Sequence, residues 1–208
     1  MQKSPELAFQ LGRIRKLIQR FKGGGPEAFE PFRELVSLLL SLTILRRGSG
    51  IGLFYLTGRR DRGVVAGLQS FTDPLVLTNG NYLRLSITLY VAPSSESRRL
   101  KVEESSFQYQ TDPEGKNWVF RYDYLRNPPH QYPAAHLQIR GSLTEVVLGQ
   151  GMLEKVHFPT WRIPLESVIR LLADQFGVPC NSPPELWRPV LAESEKAFAE
   201  IAHKPIQE

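Results

Sequence analysis

From Tyr82 to Val91 every second residue is aliphatic: Leu83, Leu85, Ile87, Leu89 and Val91 alternate with Tyr82, Arg84, Ser86, Thr88 and Tyr90. Successive side chains of an extended chain point to opposite faces, so this run predicts a half-buried β-strand. The turn-like APSSES follows, then a second strand over 99–110. Its alternation slips between Val102 and Phe107, which predicts a bulge in the interval 103–106. TDPEGK reads as a turn into a third strand over 118–124, and 135–139 reads as a fourth. Four strands joined by short or moderate links predict an antiparallel meander with one face packed on helices.

Helical periodicity brackets these strands. Leu7, Leu11, Ile14, Leu17 and Phe21 form one apolar stripe of a helix over 5–21, which Gly23, Gly24 and Gly25 end. Pro26 suits the first turn of a second helix, expected to run to Leu45. Its second half is apolar nearly all round, so it is either a core helix or one side of a protein interface. The GGG lacks the Lys-Ser/Thr of a phosphate-binding loop and does not follow a strand. Leu165, Val168, Ile169, Leu172 and Phe176 predict another helix ending near Gly177, and a last one runs from about Ser182 towards Ile201. The expected class is α+β, with an antiparallel sheet of about four strands flanked by N- and C-terminal helices. The expected division is a basic helical region 1–47, a connecting segment 48–81 holding a short strand in IGLFYLT, and a sheet with C-terminal helices over 82–208.

Composition limits the function. The longest apolar run, LVSLLLSLTIL, has eleven residues, where a spanning helix needs about 20. The single cysteine, Cys180, cannot form an internal disulfide, and with no signal peptide visible a reducing cytoplasm is the expected compartment. Residues 1–62 carry twelve Lys/Arg against five Asp/Glu, whereas the remainder carries fourteen against sixteen. A basic front of this kind suits nucleic acid or an acidic protein partner. Arg13, Lys16 and Arg20 share one side of the first helix, and Arg59, Arg60 and Arg62 sit in the glycine-flanked loop GRRDRG. Both groups are candidate phosphate contacts, although solvated basic surfaces have the same composition.

The chemistry-bearing stretch is NWVFRYDYLRNPPHQYPAAHLQIR. Trp118, Phe120, Tyr122 and Tyr124 fall on one face of its first strand, and Val119, Arg121 and Asp123 on the other. In its second strand His136, Gln138 and Arg140 oppose Ala135, Leu137 and Ile139. Pairing the two strands gathers Arg121, Asp123, His136 and Arg140 on one polar surface. Histidine exchanges protons near neutrality, Asp123 can orient an imidazole, and arginine can hold a phosphate. His136 and His157 are thus candidate acid–base groups beside Asp123, with Arg121, Arg140 and Arg162 as substrate contacts, while His130 lies in the intervening loop. These are the parts of a metal-independent ribonuclease. A local Arg121–Asp123 ion pair with His136 as neighbour, worth under about 1 kcal/mol if exposed, is the plainer alternative. No CxxC or HExxH occurs, so neither a metal nor a cofactor is expected. The aromatic side of the strand fits core packing better than base stacking.

The run TDPEGKNWVFRYDY followed by AAHLQI resembles the small bacterial toxins of the TumE type, over about residues 80–175. Tyr122, Asp123 and the downstream His136 stand at the matching positions. Tyr124 stands where those toxins tend to have asparagine, and residues 1–80 have no counterpart there. The resemblance implies a toxin or phage-defence setting and action on RNA or another nucleic-acid-linked target; the expected partner is nucleic acid, RNA before DNA. The segment RYDY…PAAHLQIRG…VHFPTWR…LESVIRLL also resembles an uncharacterised bacterial family. A reading of another class is a non-enzymatic interaction module, in which the N-terminal helices dock on a partner protein and the polar sheet face is merely solvated.

Overall fold

Ser4 accepts a hydrogen bond from the Leu7 amide at 3.2 Å and so caps α1, Pro5–Lys22. Glycines 24 and 25 hold the left-handed backbone that turns the chain, with φ of 75° and 74°. A short 3-10 turn at Pro26–Ala28 leads into α2, Phe29–Leu42. The computed structural model describes residues 4–56, 60–92, 99–129, 132–140 and 158–202. Within them the strands are β1 (Ile51–Tyr55), β2 (Arg62–Gly67), β3 (Leu75–Val76), β4 (Tyr82–Val91), β5 (Leu100–Gln110), β6 (Trp118–Leu125), β7 (Ala135–Ile139) and β8 (Phe158–Pro159). Helices α3, Leu165–Asp174, and α4, Pro184–Ala202, follow.

The α+β class and the antiparallel sheet agree with the sequence reading, but the strand count does not. The order across the sheet is β1-β2-β4-β5-β6-β7-β8, with β3 pairing on β4, against the four strands expected. The four expected strands are β4 to β7. β2 escaped notice because GVVAG is buried throughout and therefore shows no alternation. β3 and β8 are two residues each, too short to carry a period. The bulge lies where the pattern slipped: Thr88 faces Glu104 and Leu89 faces Val102, leaving Glu103 as the extra residue. The Glu103 carbonyl accepts from Arg126 N at 2.8 Å.

One face of the sheet is aliphatic. Leu83, Leu85, Ile87, Leu89, Phe107, Tyr109 and Phe120 are buried in a single core with residues from all four helices. α2 is spent there: Phe29, Leu35, Val36, Leu38, Leu39 and Leu40 are buried, so its apolar surface faces the protein's own sheet and helices. Of the two readings of this helix the core one holds. No described helix is long and apolar enough to cross a membrane. The opposite face of the sheet is polar and carries the candidate site.

Leu85 is fully buried at the centre of the sheet, whereas Leu68 is 60% exposed. Leu85→Ala should therefore lower unfolding stability by about 2–5 kcal/mol. Leu68→Ala should change it by no more than about 0.5 kcal/mol, both read from urea unfolding curves.

Candidate functional site

Two transverse rows of side chains cross the polar face. Strand pairing aligns Ser86 with Ser106, Ser106 with Asp123, and Asp123 with His136. One step along the strands it aligns Arg84 with Gln108, Gln108 with Arg121, and Arg121 with Gln138. The third and fourth strands of the expected meander do lie side by side, with their polar residues projecting the same way.

Asp123 is the hub. Its Oδ1 accepts from Ser106 Oγ at 2.7 Å and its Oδ2 from Arg121 Nε at 2.6 Å. His136 Nε2 lies 3.6 Å from the same Oδ2, and His136 Nδ1 lies 3.4 Å from the Pro133 carbonyl. Arg121 Nη2 donates to Gln138 Oε1, so the guanidinium bridges both rows. The side chains of His136, Asp123 and Arg121 are 14%, 23% and 38% exposed, so the cluster is half-buried but reachable. Chemically it offers an imidazole beside an oriented carboxylate that also accepts from a guanidinium.

Arg140 belongs to the same face, at its exposed rim, where Nη1 donates to Asn117 Oδ1 at 3.4 Å. The turn 111–117 folds over the neighbouring end of the face. Gln108 Nε2 donates to Gln110 Oε1 at 2.7 Å, and Gln110 Nε2 to the Asp112 carbonyl at 2.7 Å. These bonds satisfy two glutamines that are 6% and 0% exposed. Asp112 accepts from Lys116 N at 2.9 Å and holds the turn closed.

Arg162 is not part of this cluster. It lies on the helix side of the sheet, its guanidinium 4.7 Å from the Tyr124 ring and 4.6 Å from the Phe198 ring. Tyr124 alternates with Asp123, so the two arginines are on opposite faces. Burial pushes the Arg162 guanidinium down to about 10, with the nearby Tyr124 opposing that change. Its surroundings make it a structural cation between two rings. His157, His130 and Arg59 lie outside the described residues.

The basic groups of the front do not converge on the site. α1 packs mainly on α2 and α4, in the helical layer. Arg13 donates to Gln10 at 3.3 Å, Arg20 pairs with Glu34 at 3.5 Å, and Lys16 is exposed. Arg62 pairs with Glu103 at 2.7 Å on the polar side of the sheet. β4 and β5 separate β2 from the strand of Asp123, a span of roughly 15 Å at ordinary strand spacing. Arg60 is exposed at the β1–β2 turn.

The sequence reading missed Ser106, Gln138 and Trp161. The first two needed the register, because only pairing with β6 makes them ligands of Asp123 and Arg121. Trp161 is 88% exposed, two residues past Pro159, which pairs with His136. It lines a small pocket with Ser105, Phe107, Tyr122 and Tyr124, residues of the helix-side face of the sheet, and its proline-rich context FPTWRIP is the signal of exposure that the sequence held.

No family model, curated protein or solved structure matches the chain. Function therefore rests on the geometry above.

Two outcomes check this placement. Arg162→Ala should lower unfolding stability by about 2 kcal/mol or more, because both ring stacks go with it. Glu166, in α3, is buried with its carboxyl accepting from Ser194 Oγ at 2.5 Å, and burial pushes its pKa up. A carboxyl raised in the folded state stabilises most while protonated, so that contribution fades as pH climbs from the ordinary carboxylate range through the raised value. Glu166→Gln keeps the acceptor and removes the charge, so its unfolding free energy should fall less steeply with pH over that window than the wild type's.

Proposed function

We propose that the protein acts on nucleic acid, RNA before DNA, at the polar face of the sheet, as a metal-independent ribonuclease-like effector. The observation that carries this reading is the convergence of Arg121, Asp123 and His136 from two paired strands on one reachable surface, with Asp123 in contact with both partners. His136 accepts the proton of a ribose 2′-hydroxyl, and Asp123 steadies the imidazolium that forms. The 2′-oxygen attacks phosphorus and the bond to the 5′-oxygen breaks. The products are a 2′,3′-cyclic phosphate and a 5′-hydroxyl, the latter after the departing oxygen takes up a proton. Arg121 and Arg140 offset the charge that builds on the non-bridging oxygens. The requirement for a 2′-hydroxyl is the chemical reason for RNA over DNA.

His157 is the first candidate for donating the proton to the departing oxygen, and substitution decides its part. The resemblance to TumE-type toxins at Tyr122, Asp123 and His136 supplies the setting, a toxin or phage-defence effector in the cytoplasm. With α2 spent in the core, a protein partner is left the exposed side of α1 among the N-terminal elements.

The test uses purified protein and a single-stranded RNA in the presence of a chelator. Wild type should release fragments ending in cyclic phosphate. His136→Ala should be slower by about 10²-fold or more, with an unchanged thermal unfolding midpoint. An active His136→Ala protein, or a wild type that leaves RNA intact, overturns the catalytic step. If the wild type binds RNA without cutting it, the face is a binding surface only.

A further inference from the structure

The α2–β1 connection forms a second polar site, separate from the sheet face. Arg46 and Arg47 follow α2 directly, in a turn closed by the Ser49 amide donating to the Arg46 carbonyl at 3.1 Å. Gly48 takes the left-handed conformation that this turn needs, with φ of 91°. The Arg46 amide donates to the Val76 carbonyl at 2.9 Å, which fixes the turn on β3. Across from it, Asn181 is fully engaged. Its amide donates to the Thr43 carbonyl at 2.8 Å, and its side-chain Nδ2 donates to the Ser41 and Leu45 carbonyls at 3.0 and 2.7 Å. These bonds cap the carbonyls at the end of α2 and hold the start of α4 against them.

Between the two walls lies an open cleft of about 390 Å³ lined by Arg46, Arg47, Ser41, Ser49, Asn181 and Ser182, with Leu45 and Gly48. Its lining is cationic and contains no carboxylate. Neither Arg46 nor Arg47 has a carboxylate partner among the described residues, whereas Arg15, Arg20, Arg33, Arg62, Arg121, Arg170 and Arg188 each do. Two like charges lining one cleft beside hydroxyl groups and away from acids are suited to an anion. Two guanidinium forks and serine hydroxyls match the several acceptor oxygens and double charge of a phosphate monoester better than a single carboxylate. The cleft is at the lower end of the roughly 300–1,000 Å³ usual for ligand sites, with room for a small group beyond the phosphate. Among its lining residues none is aromatic, so recognition falls on the phosphate and its polar neighbour, not on a stacked base.

We infer that this cleft binds a phosphate monoester between Arg46 and Arg47. The ester is carried either by a small metabolite or by the 5′-end of an oligonucleotide. This site does not depend on the ribonuclease reading: it lies on the helix side of the sheet, and its test involves no cleavage.

Calorimetric titration of the full chain with inorganic phosphate, a hexose phosphate, a nucleoside 5′-monophosphate and a short DNA oligonucleotide with or without a 5′-phosphate tests the inference. At least one phosphate monoester should bind saturably. Arg46→Gln and Arg47→Gln should each weaken it about tenfold or more, because each removes a charge-assisted contact. Arg99→Gln, an exposed arginine just before β5 and outside the cleft, should leave it unchanged. Preference for the 5′-phosphorylated over the 5′-hydroxyl oligonucleotide assigns the site to nucleic-acid ends, and preference for the small esters assigns it to a metabolite. No saturable binding by any of these, or equal loss in Arg99→Gln, overturns the site. All three arginines are exposed, so the variants should fold, and their unfolding midpoints check this.

Discussion

The register between β6 and β7 decides what this sheet can do. Side chains alternate with a period of two, so a slip of one residue would turn His136 and Gln138 towards the core and put Ala135 and Leu137 in water. Burial prevents it: Ala135 is 8% exposed and Leu137 packs on the core. The apolar half of β7 thus fixes where its polar half points. The same holds for β6, where Phe120 is buried and contacts the Tyr109, Tyr122 and Phe176 rings at 5.8, 5.6 and 5.4 Å. Asp123 meets His136 because Phe120, Tyr122 and Leu137 have a hydrophobic reason to lie on the other side.

The back of that strand is also clamped. Arg162 sits between Tyr124 on β6 and Phe198 on α4, tying the strand of Asp123 to the last helix. α4 is in turn tied to α3, through Ser194 to Glu166, Ser167 to Glu195 at 3.0 Å, and Arg170 to Glu195 at 2.7 Å. A carboxylate whose strand is held from the helix side and whose two oxygens are bonded on the polar side has little freedom to wander. Such support from behind is what a positioned acid–base pair requires.

Where alternation or helical period was sustained, the elements were legible: β4 to β7, α1 and α3 were read from the spacing of apolar residues, while α2 and α4 were read from the prolines at their starts. The bulge at Glu103 was legible for the same reason, since a lost beat in a period of two is itself a signal. β2 was not, because burial on both faces erases the period. Within the site, Arg121, Asp123, His136 and Arg140 could be placed on one face from sequence alone. Ser106 and Gln138 could not be assigned as partners, because their role comes from pairing. Arg162 was misjudged because a guanidinium suited to phosphate is equally suited to two aromatic rings. Only the strand's alternation, which sets Tyr124 against Asp123, separates the two.

The charge asymmetry of the chain takes on a different meaning once its pairs are known. Arg15 meets Glu193, Arg20 meets Glu34, Arg33 meets Glu30 and Arg62 meets Glu103, so much of the basic front is matched by acids brought alongside by folding. These contacts are largely exposed, and ion pairs of that kind contribute little to stability. Under the proposed function, a phosphate backbone would exchange for them at small cost and in a salt-sensitive way. Arg121 is the reverse case. It is bonded to Asp123 and Gln138 and fixed in orientation, so it contributes direction at short range. The paired arginines of the front and the fixed guanidinium of Arg121 are thus two kinds of cation: Arg15, Arg20 and Arg33 pair within or beside the helical layer, and Arg62 pairs on the polar side of the sheet but three strands from Asp123.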